Sequence, residues 1–567
     1  EAYPYLITNG ELLALVSEMM ETNPSNKPEG EDSETDADKI YQPFYKAYYE
    51  ITDDIVMDGV HEFSTIGATY NFTSGFRGHV FGKQKEDGTY PTISNLVINS
   101  SANSGTNGSS SYCGLFGYAM SGAEFKNFNI KDAKVTSSAT NTGILAGYVS
   151  NTLISNITVS GSMSGAGSYM GGIVGYASSS ATPDTGGVIE YCTNEASITG
   201  SAGTTNNAGA RNESGIGGIA GKITNRLTIR YCKNIGTIEG KNNIGGISGI
   251  VGDPLGGLDS GAKIIESCIN TGTVKGTTQV GGITGYTKSG TIQSCYNKAD
   301  VITEGSSSSP VTAGGIVGYY PNAGNGIGGL YITSCYNTGT ISNTSDAETK
   351  YLQLGGIASG CGLDKVDKEY LDESNYPNEA YRCTYLKDNY YLSDGSIKAV
   401  GLQKYQYLDG NQYVTAEYDQ DLSAMKGLTA DEMKAAAVDL GDAYIIPSAS
   451  SDGYPILTWE ATDDEICTVT ISSSDDSENA PSVLMQLGDN KVTSLRAQTG
   501  ARFAVAAVSD SEGYRVTGVS QTVGGGEATA LTANADGTYT ISVSGDIVLT
   551  AETAANPYTV ELKDSAQ

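Results

Sequence analysis

Histidine is almost missing from this chain: His61 and His79 are the two present in 567 residues. They lie 18 positions apart, and no Cys-x-x-Cys pair accompanies them, so the usual zinc spacings are missing. Proline is scarce as well, at 14, while glycine reaches 73. Little proline with abundant Gly, Ser, Thr, Ile and Val implies strands and tight turns rather than disorder. No stretch approaches the ~20 apolar residues that a membrane-spanning helix needs, so direct membrane insertion is not expected. Basic residues are also few, 33 against 64 acidic ones, for a net charge of −31. Without a basic stripe the chain is a poor ligand for nucleic acid or an anionic membrane surface. The acid is unevenly placed: residues 61–360 balance to zero, whereas residues 1–60 carry −11 and residues 361–470 carry −13. The acidic flanks read as solubilising. No secretory leader or lipidation signal is visible, so the chain reads as a mature form or a segment of a longer one.

What is present is repetition. The Ile of a Gly-Gly-Ile triplet recurs at Ile173, Ile219, Ile247, Ile283, Ile316 and Ile357. Between the triplets a Cys-x-Asn signature recurs at Cys192-Thr193-Asn194, Cys232-Lys233-Asn234, Cys268-Ile269-Asn270, Cys295-Tyr296-Asn297 and Cys335-Tyr336-Asn337. Self-similarity at this spacing marks stacked layers, each of which needs neighbours to bury its apolar face. Five of the nine Cys occupy one repeat position. In stacked layers they form an internal ladder of thiols behaving as small apolar groups. The invariant Ile beside a variable Val, Ala, Ser or Thr suggests that Ile points in and its neighbour out. Parity along Cys335, Asn337, Gly339 and Ile341 is broken at Ile332, which places a bend near Ser334, and the Asn suits a corner. One repeat then reads as about three short strands and three corners.

The expected fold is all-β: a right-handed parallel β-helix with an N-terminal helical cap and a C-terminal Ig-like β-sandwich. Residues 1–50 form the cap helix and an acidic loop, with Asn9 as N-cap and Leu12, Leu13, Leu15, Val16, Met19 and Met20 as the apolar face. Residues 51–465 form the β-helix and its C-terminal cap, including a helix over Thr429 to Val438 with Thr429 as N-cap and Glu432 completing a capping box. Residues 466–556 alternate as a small sandwich, with turns at Gly488-Asp489-Asn490, Gly524-Gly525-Gly526 and Asp536-Gly537. Residues 557–567 begin a further module or tail.

With its repeats laid out, the chain resembles the GLUG-repeat proteins of bacterial cell surfaces. The residues carrying the resemblance are Gly171 to Tyr176 and Gly281 to Tyr286, Cys335 to Ile341, the lead-in Asp53-Asp54-Ile55, Ile66-Gly67 and Phe76-Arg77-Gly78, Ile93 to Leu96, and the close Gly453 to Trp459. It covers roughly residues 1–460. Residues 466–556 are similar to the short β-sandwich repeats of Gram-positive surface proteins. Some GLUG relatives accompany a zinc protease carrying His-Glu-x-x-His. Here His61-Glu62 is followed by Thr65 in place of the second His, so that activity does not carry over.

Parallel β-helices also host polysaccharide lyases and glycoside hydrolases, which need converging carboxylates, or a carboxylate with Arg or Lys. Glu190, Arg230, Glu239, Glu266 and Lys275 are scattered over the coils. Arg230 and Glu266 each precede a repeat Cys by two, and so are expected on adjacent layers as an exposed ion pair. Asp53-Asp54 reads as a solvated turn and His79, beside Arg77, as a satisfied surface residue. Gly215 to Gly221 lacks the sequel of a phosphate loop. Oxygen ligands for calcium concentrate in Glu29 to Asp38, but the nonapeptide calcium repeat is missing. Tyr118, Tyr148, Tyr176, Tyr286 and Tyr319 follow the Gly-x-Gly strand and either pack against corners or form an exposed row for sugars or a protein. No catalytic, cofactor-binding or metal residue is assigned, and the ligand-binding residues are unknown. The expected function is that of a secreted or wall-attached bacterial surface protein, monomeric and non-enzymatic. It is an adhesin or rigid stalk whose partner is a host glycan or extracellular protein. The alternative is a β-helix polysaccharide lyase or glycoside hydrolase. If ligand binds, the lateral sheet is the expected surface, with insertions Thr182 to Gly187, Asn206 to Ser214 and Pro321 to Gly329 shaping its edge.

Overall fold

A computed structural model describes residues 4–21, 44–59, 61–67, 75–100, 112–120, 122–179, 186–201, 214–253, 262–305, 311–320, 330–345, 352–361, 365–366, 384–409, 412–417, 425–475, 477 and 480–557. The acidic run Glu29 to Asp38, the insertion Pro321 to Gly329, most of the other two insertions and the segment from Tyr558 onward lie outside the described residues. The chain divides into two compact units, residues 1–427 and 428–567.

The first unit is mostly β, and its strands pair in parallel from layer to layer in two large sheets. A single coil shows the plan. Leu227–Arg230, Lys233–Asn234 and Ile238–Glu239 belong to the first sheet, and Asn242–Gly245 and Ser248–Val251 to the second. Five short segments per coil replace the three expected. The extra breaks have two causes. The residue before each repeat Cys adopts a left-handed conformation, with φ of 52° at Tyr191, 54° at Tyr231, 51° at Ser267, 50° at Ser294 and 52° at Ser334. That is the bend expected near Ser334. The second break is the Gly-Gly-Ile turn, which bends between two strands of the second sheet.

In-register pairing lines up apolar residues across layers. Ile154, Ile189, Ile229, Ile265, Ile292 and Ile332 form one fully buried column of the first sheet. The Ile of each Gly-Gly-Ile triplet forms another, each backbone N–H bonding the next Ile carbonyl from Ile173 through to Ile357. Each buried Ile contributes about 1.5–3 kcal/mol, so stacking alone accounts for much of the cohesion. The residue after each of these Ile does not point outward as expected: Val174, Ala220, Ser248, Thr284, Val317 and Ala358 are all buried too. The turn at Gly172-Ile173 interrupts the strand alternation, so both neighbours face inward, and the hydroxyls find partners, as in Thr284 Oγ1 to Thr287 Oγ1 at 2.7 Å.

The repeat Cys form the expected ladder of free, fully buried thiols. The repeat Asn, expected at a corner, are buried and form a second ladder beside it. Asn194, Asn234, Asn270 and Asn297 each donate Nδ2 to Oδ1 of the Asn one layer on, ending at Asn337, every contact being 2.7 Å. The other Nδ2–H bonds the carbonyl two residues ahead, as in Asn234 to Gly236 at 2.9 Å. In the next coil Asn389 and Tyr391 succeed Cys335 and Asn337.

At the N-terminus, the helix Gly10–Glu21 is capped by Asn9, whose Oδ1 accepts from Leu12 N at 3.0 Å. Leu13 and Val16 pack against the core, while Leu12 and Leu15 of the expected apolar face are exposed. In the second unit, Thr429 and Glu432 form the predicted capping box on the helix Ala430–Ala435. The compact unit that holds this helix begins at Leu428, and Ala437 and Ile446, which follow the helix, join the core of the next sheets, Ile446 hydrogen-bonding Arg496 and Gln498. A five-stranded and a four-stranded sheet enclose this core around Val469, Met485, Ala497, Val505, Ile541 and Leu549. The expected turns are present, with positive φ at Gly488, Gly524, Gly525 and Gly537.

Candidate functional site: the outer face of the first sheet

Alternation along each strand sends one parity into the core and the other to the surface. In Tyr48–Ile51, Tyr49 and Ile51 are buried while Tyr48 and Glu50 face out, and the same holds for His79 and Phe81 around Val80 and for Glu124 and Lys126 around Phe125. Parallel pairing stacks these outward residues in two columns. One runs Tyr48, His79, Glu124, Leu153, Val188, Thr228, Ile264, Thr291, Tyr331. Its neighbour runs Glu50, Phe81, Lys126, Ser155, Glu190, Arg230, Glu266, Gln293, Thr333. At ~4.8 Å per layer the stripe is roughly 40 Å long.

Its charges are closed against one another. Arg230 and Glu266 are on adjacent layers as the spacing predicts, but Arg230 bonds backwards, to Glu190, with Nε at 2.8 Å and its terminal nitrogen at 2.7 Å. The hydrogen bond to Glu190 raises the Arg230 pKa further, so this guanidinium stays charged. Glu266 accepts from Gln293 Nε2 at 2.7 Å. Farther round the coil, Lys275 bridges Glu239 at 3.5 Å and Glu304 at 2.9 Å. The five scattered charged residues are thus held in lateral ion pairs and hydrogen bonds.

At the N-terminal end of the stripe the surface dips into a shallow open depression of about 290 Å³, lined by Tyr48, His79, Val80, Phe81, Glu124, Lys126 and Asn127. The Tyr48 and His79 rings stack at 4.3 Å with planes 2° apart. His79 Nδ1 is 3.3 Å and Lys126 Nζ 2.7 Å from the same carboxylate oxygen, Glu124 Oε2. Partial burial works to raise the Glu124 pKa, but the hydrogen bonds from Lys126 and His79 prevail and hold it below the usual carboxylate value. His79 is therefore satisfied, as expected, though by Glu124 and Tyr48 rather than by anything beside it in sequence.

The remaining candidates fall elsewhere. Asp54 receives both Lys85 Nζ, at 2.7 Å, and Thr92 N, while Asp53 accepts from Thr52, which makes this pair a bonded turn. His61 is exposed and pairs with Asp58 three residues before it. Gly215 to Gly221 forms strand and turn of the second sheet. The Tyr row expected from the Gly-x-Gly strands is a column on the second sheet, running Tyr118, Tyr148, Tyr176, Lys222, Ile250, Tyr286, Tyr319. It is no exposed platform. Tyr118 and Tyr286 are buried, and the rings contact one another and Lys222, which lies 5.3 Å from the Tyr176 centroid. Among the described residues no group of three or more metal-ligating side chains is placed together.

Sequence reasoning missed the Tyr48–His79–Glu124–Lys126 cluster. The period-two pattern in Tyr48-Tyr49-Glu50, His79-Val80-Phe81 and Glu124-Phe125-Lys126 was a usable signal. The intervals between these strands are irregular, so nothing in the sequence showed that they are successive layers.

No protein-family model matches the chain, and no curated protein matches it. Among solved structures, the crystal structure of a candidate immunoglobulin A1 protease from Bacteroides ovatus is similar at 16% identity and a TM-score of 0.34, over 80% of this chain and 92% of that one. A likeness of that size says nothing of activity.

Proposed function

We propose that the chain is a non-enzymatic bacterial surface or secreted protein of the GLUG-repeat kind, acting as an adhesin or rigid stalk that binds a host glycan or an extracellular protein as a monomer. In this reading the coils form a right-handed β-helix, the helix Gly10–Glu21 closes its N-terminal end, and the second unit is an Ig-like sandwich of the type that surface proteins carry after such a body. The observation that supports it is the lateral stripe. Two columns of outward residues run in register over nine strands, with half-exposed apolar and aromatic groups beside hydrogen-bonded polar ones. A long, pre-formed surface of this kind suits contact with an extended ligand, because little ordering is needed on binding. Internal ladders of Asn and Cys stiffen the body beneath it.

The test is a screen of the purified full chain on a broad glycan array that also carries mucins and extracellular-matrix proteins. A reproducible hit weakened by substitutions along the stripe supports the adhesin. A blank at high micromolar concentration counts against binding and leaves the stalk. Release of reducing ends from a polysaccharide panel would overturn the non-enzymatic reading in favour of a lyase or hydrolase.

A further inference from the structure

The depression at Tyr48 and His79 has a chemistry that the rest of the stripe lacks. Elsewhere on the stripe the outward apolar groups are aliphatic or isolated, whereas here a stacked Tyr48–His79 pair stands beside Phe81. The polar groups around these rings are pre-positioned yet not used up. Both cations address Glu124 Oε2, and an ionised carboxylate, with about four lone-pair sites, has capacity to accept from further donors. With Nδ1 turned to Glu124, the second ring nitrogen of His79 remains for a ligand. Lys126 Nζ has three hydrogens and spends one on Glu124. Asn127 accepts through Oδ1 from Asn156 at 2.9 Å, which keeps its own Nδ2 as a donor. It is fixed at the mouth of the depression by a left-handed backbone, φ 63°.

We propose that this depression is a subsite for one neutral pyranose unit of a glycan. The inference rests on the binding reading above and adds the ligand class and its place. A pyranose offers an apolar C–H face to aromatic rings and a rim of vicinal hydroxyls, each both donor and acceptor. Tyr48 and Phe81 meet the first need, and Glu124, Lys126 and Asn127 the second. A charged sugar fits less well, since Glu124 and Lys126 already neutralise each other and an ionic ligand would have to break that pair.

The chain supplies its own reporter. His61 and His79 are its two histidines, and His61 is exposed beside Asp58, outside any strand. The full chain is labelled with ¹³C-histidine, His61→Gln assigns the two signals, and methyl glycosides of galactose, N-acetylglucosamine, mannose and fucose are titrated to about 50 mM, a range that saturates a site of millimolar Kd. The expected result is a saturable shift of the His79 signal with at least one sugar while the His61 signal stays still. Glu124→Gln and Tyr48→Ala should each weaken that Kd by about tenfold or more. Tyr48 is exposed enough to be replaced without unfolding the layer, and Phe81→Ala is the second variant should it not be. A silent His79 with all four sugars, or a shift that survives both Glu124→Gln and Tyr48→Ala, overturns the subsite. If the glycan array is positive while His79 is silent, the adhesin reading stands and this inference alone fails. If both are blank, both fail.

Discussion

Asn234 meets Gly218 of the preceding coil in the interior: a Cβ built on Gly218 would lie 2.4 Å from Asn234 Oδ1 and 2.2 Å from the Gly246 carbonyl oxygen. The same meeting recurs at Gly172 with Asn194, Gly246 with Asn270, Gly282 with Asn297 and Gly315 with Asn337. The two repeat signatures, a Gly-Gly-Ile turn and a Cys-x-Asn segment, are therefore two halves of one contact. Glycine is required because the Asn ladder fills the space that any side chain would occupy. Gly218→Ala is expected to destabilise the first unit by about 1–3 kcal/mol, the usual cost of overpacking against backbone that cannot yield. Urea denaturation of the variant checks it, and an unchanged midpoint would contradict this packing.

Asn234→Ala removes both halves of a ladder step. Asn194 Nδ2 loses its acceptor and Asn270 Oδ1 its donor, both fully buried. Unmet buried polar groups cost about 1–3 kcal/mol each, and the vacated space adds to this. We expect an early loss of resistance to thermolysin that begins in the coils around residues 194–270, read by mass spectrometry of the first fragments.

Seven cysteines, Cys113, Cys192, Cys232, Cys268, Cys295, Cys335 and Cys467, are free and buried. Burial pushes the Cys113 thiol up to about 11, and the same desolvation raises the Cys192, Cys268 and Cys335 thiols well above the ordinary value. With nine cysteines in the chain, titration of the native protein with Ellman's reagent should leave these seven slow, so that at most two thiols react fast and nine react after denaturation. Three or more fast thiols at neutral pH would show that the ladder opens.

Asp54 is held below the ordinary carboxylate pKa, chiefly by its hydrogen bonds from Lys85 and also by Thr92 N–H. A carboxyl whose folded pKa is lowered stabilises the fold above its unfolded value, near 3.8, and that contribution disappears as pH falls through the folded value. Asp54→Asn should therefore lower the Tm of the first unit slightly at pH 7, by a gap that narrows as the pH falls below about 3.8. The pair is surface-exposed, so a shift of a degree or two is expected, consistent with ~0.2–1 kcal/mol for such a bridge. A gap that widens in acid would reverse the assignment.

Layered architecture was legible because repeats of Gly-Gly-Ile and Cys-x-Asn force the same solution on every coil, and local signals were equally plain where the chemistry is local. Asn9 caps its helix and Thr429 with Glu432 forms its capping box, because each needs only residues three positions away. The parity break before Cys335 likewise announced the left-handed Ser334. What depends on contact between layers was not legible. Whether Asn297 sits at a corner or in a ladder is decided by Asn270 and Asn337 in neighbouring coils, 27 and 40 residues away. The pattern left open whether Tyr118 and Tyr286 pack or form an exposed row, and the fold covers them. The partner of Arg230 turned out to be Glu190 rather than Glu266, a choice between two neighbours at equal layer distance that only side-chain geometry makes. The grouping of Tyr48, His79 and Glu124 is tertiary in the same sense. Their spacings of 31 and 45 residues contain loops of different length, and sequence separation carries no information about height along the stack until the pairing of the strands is known.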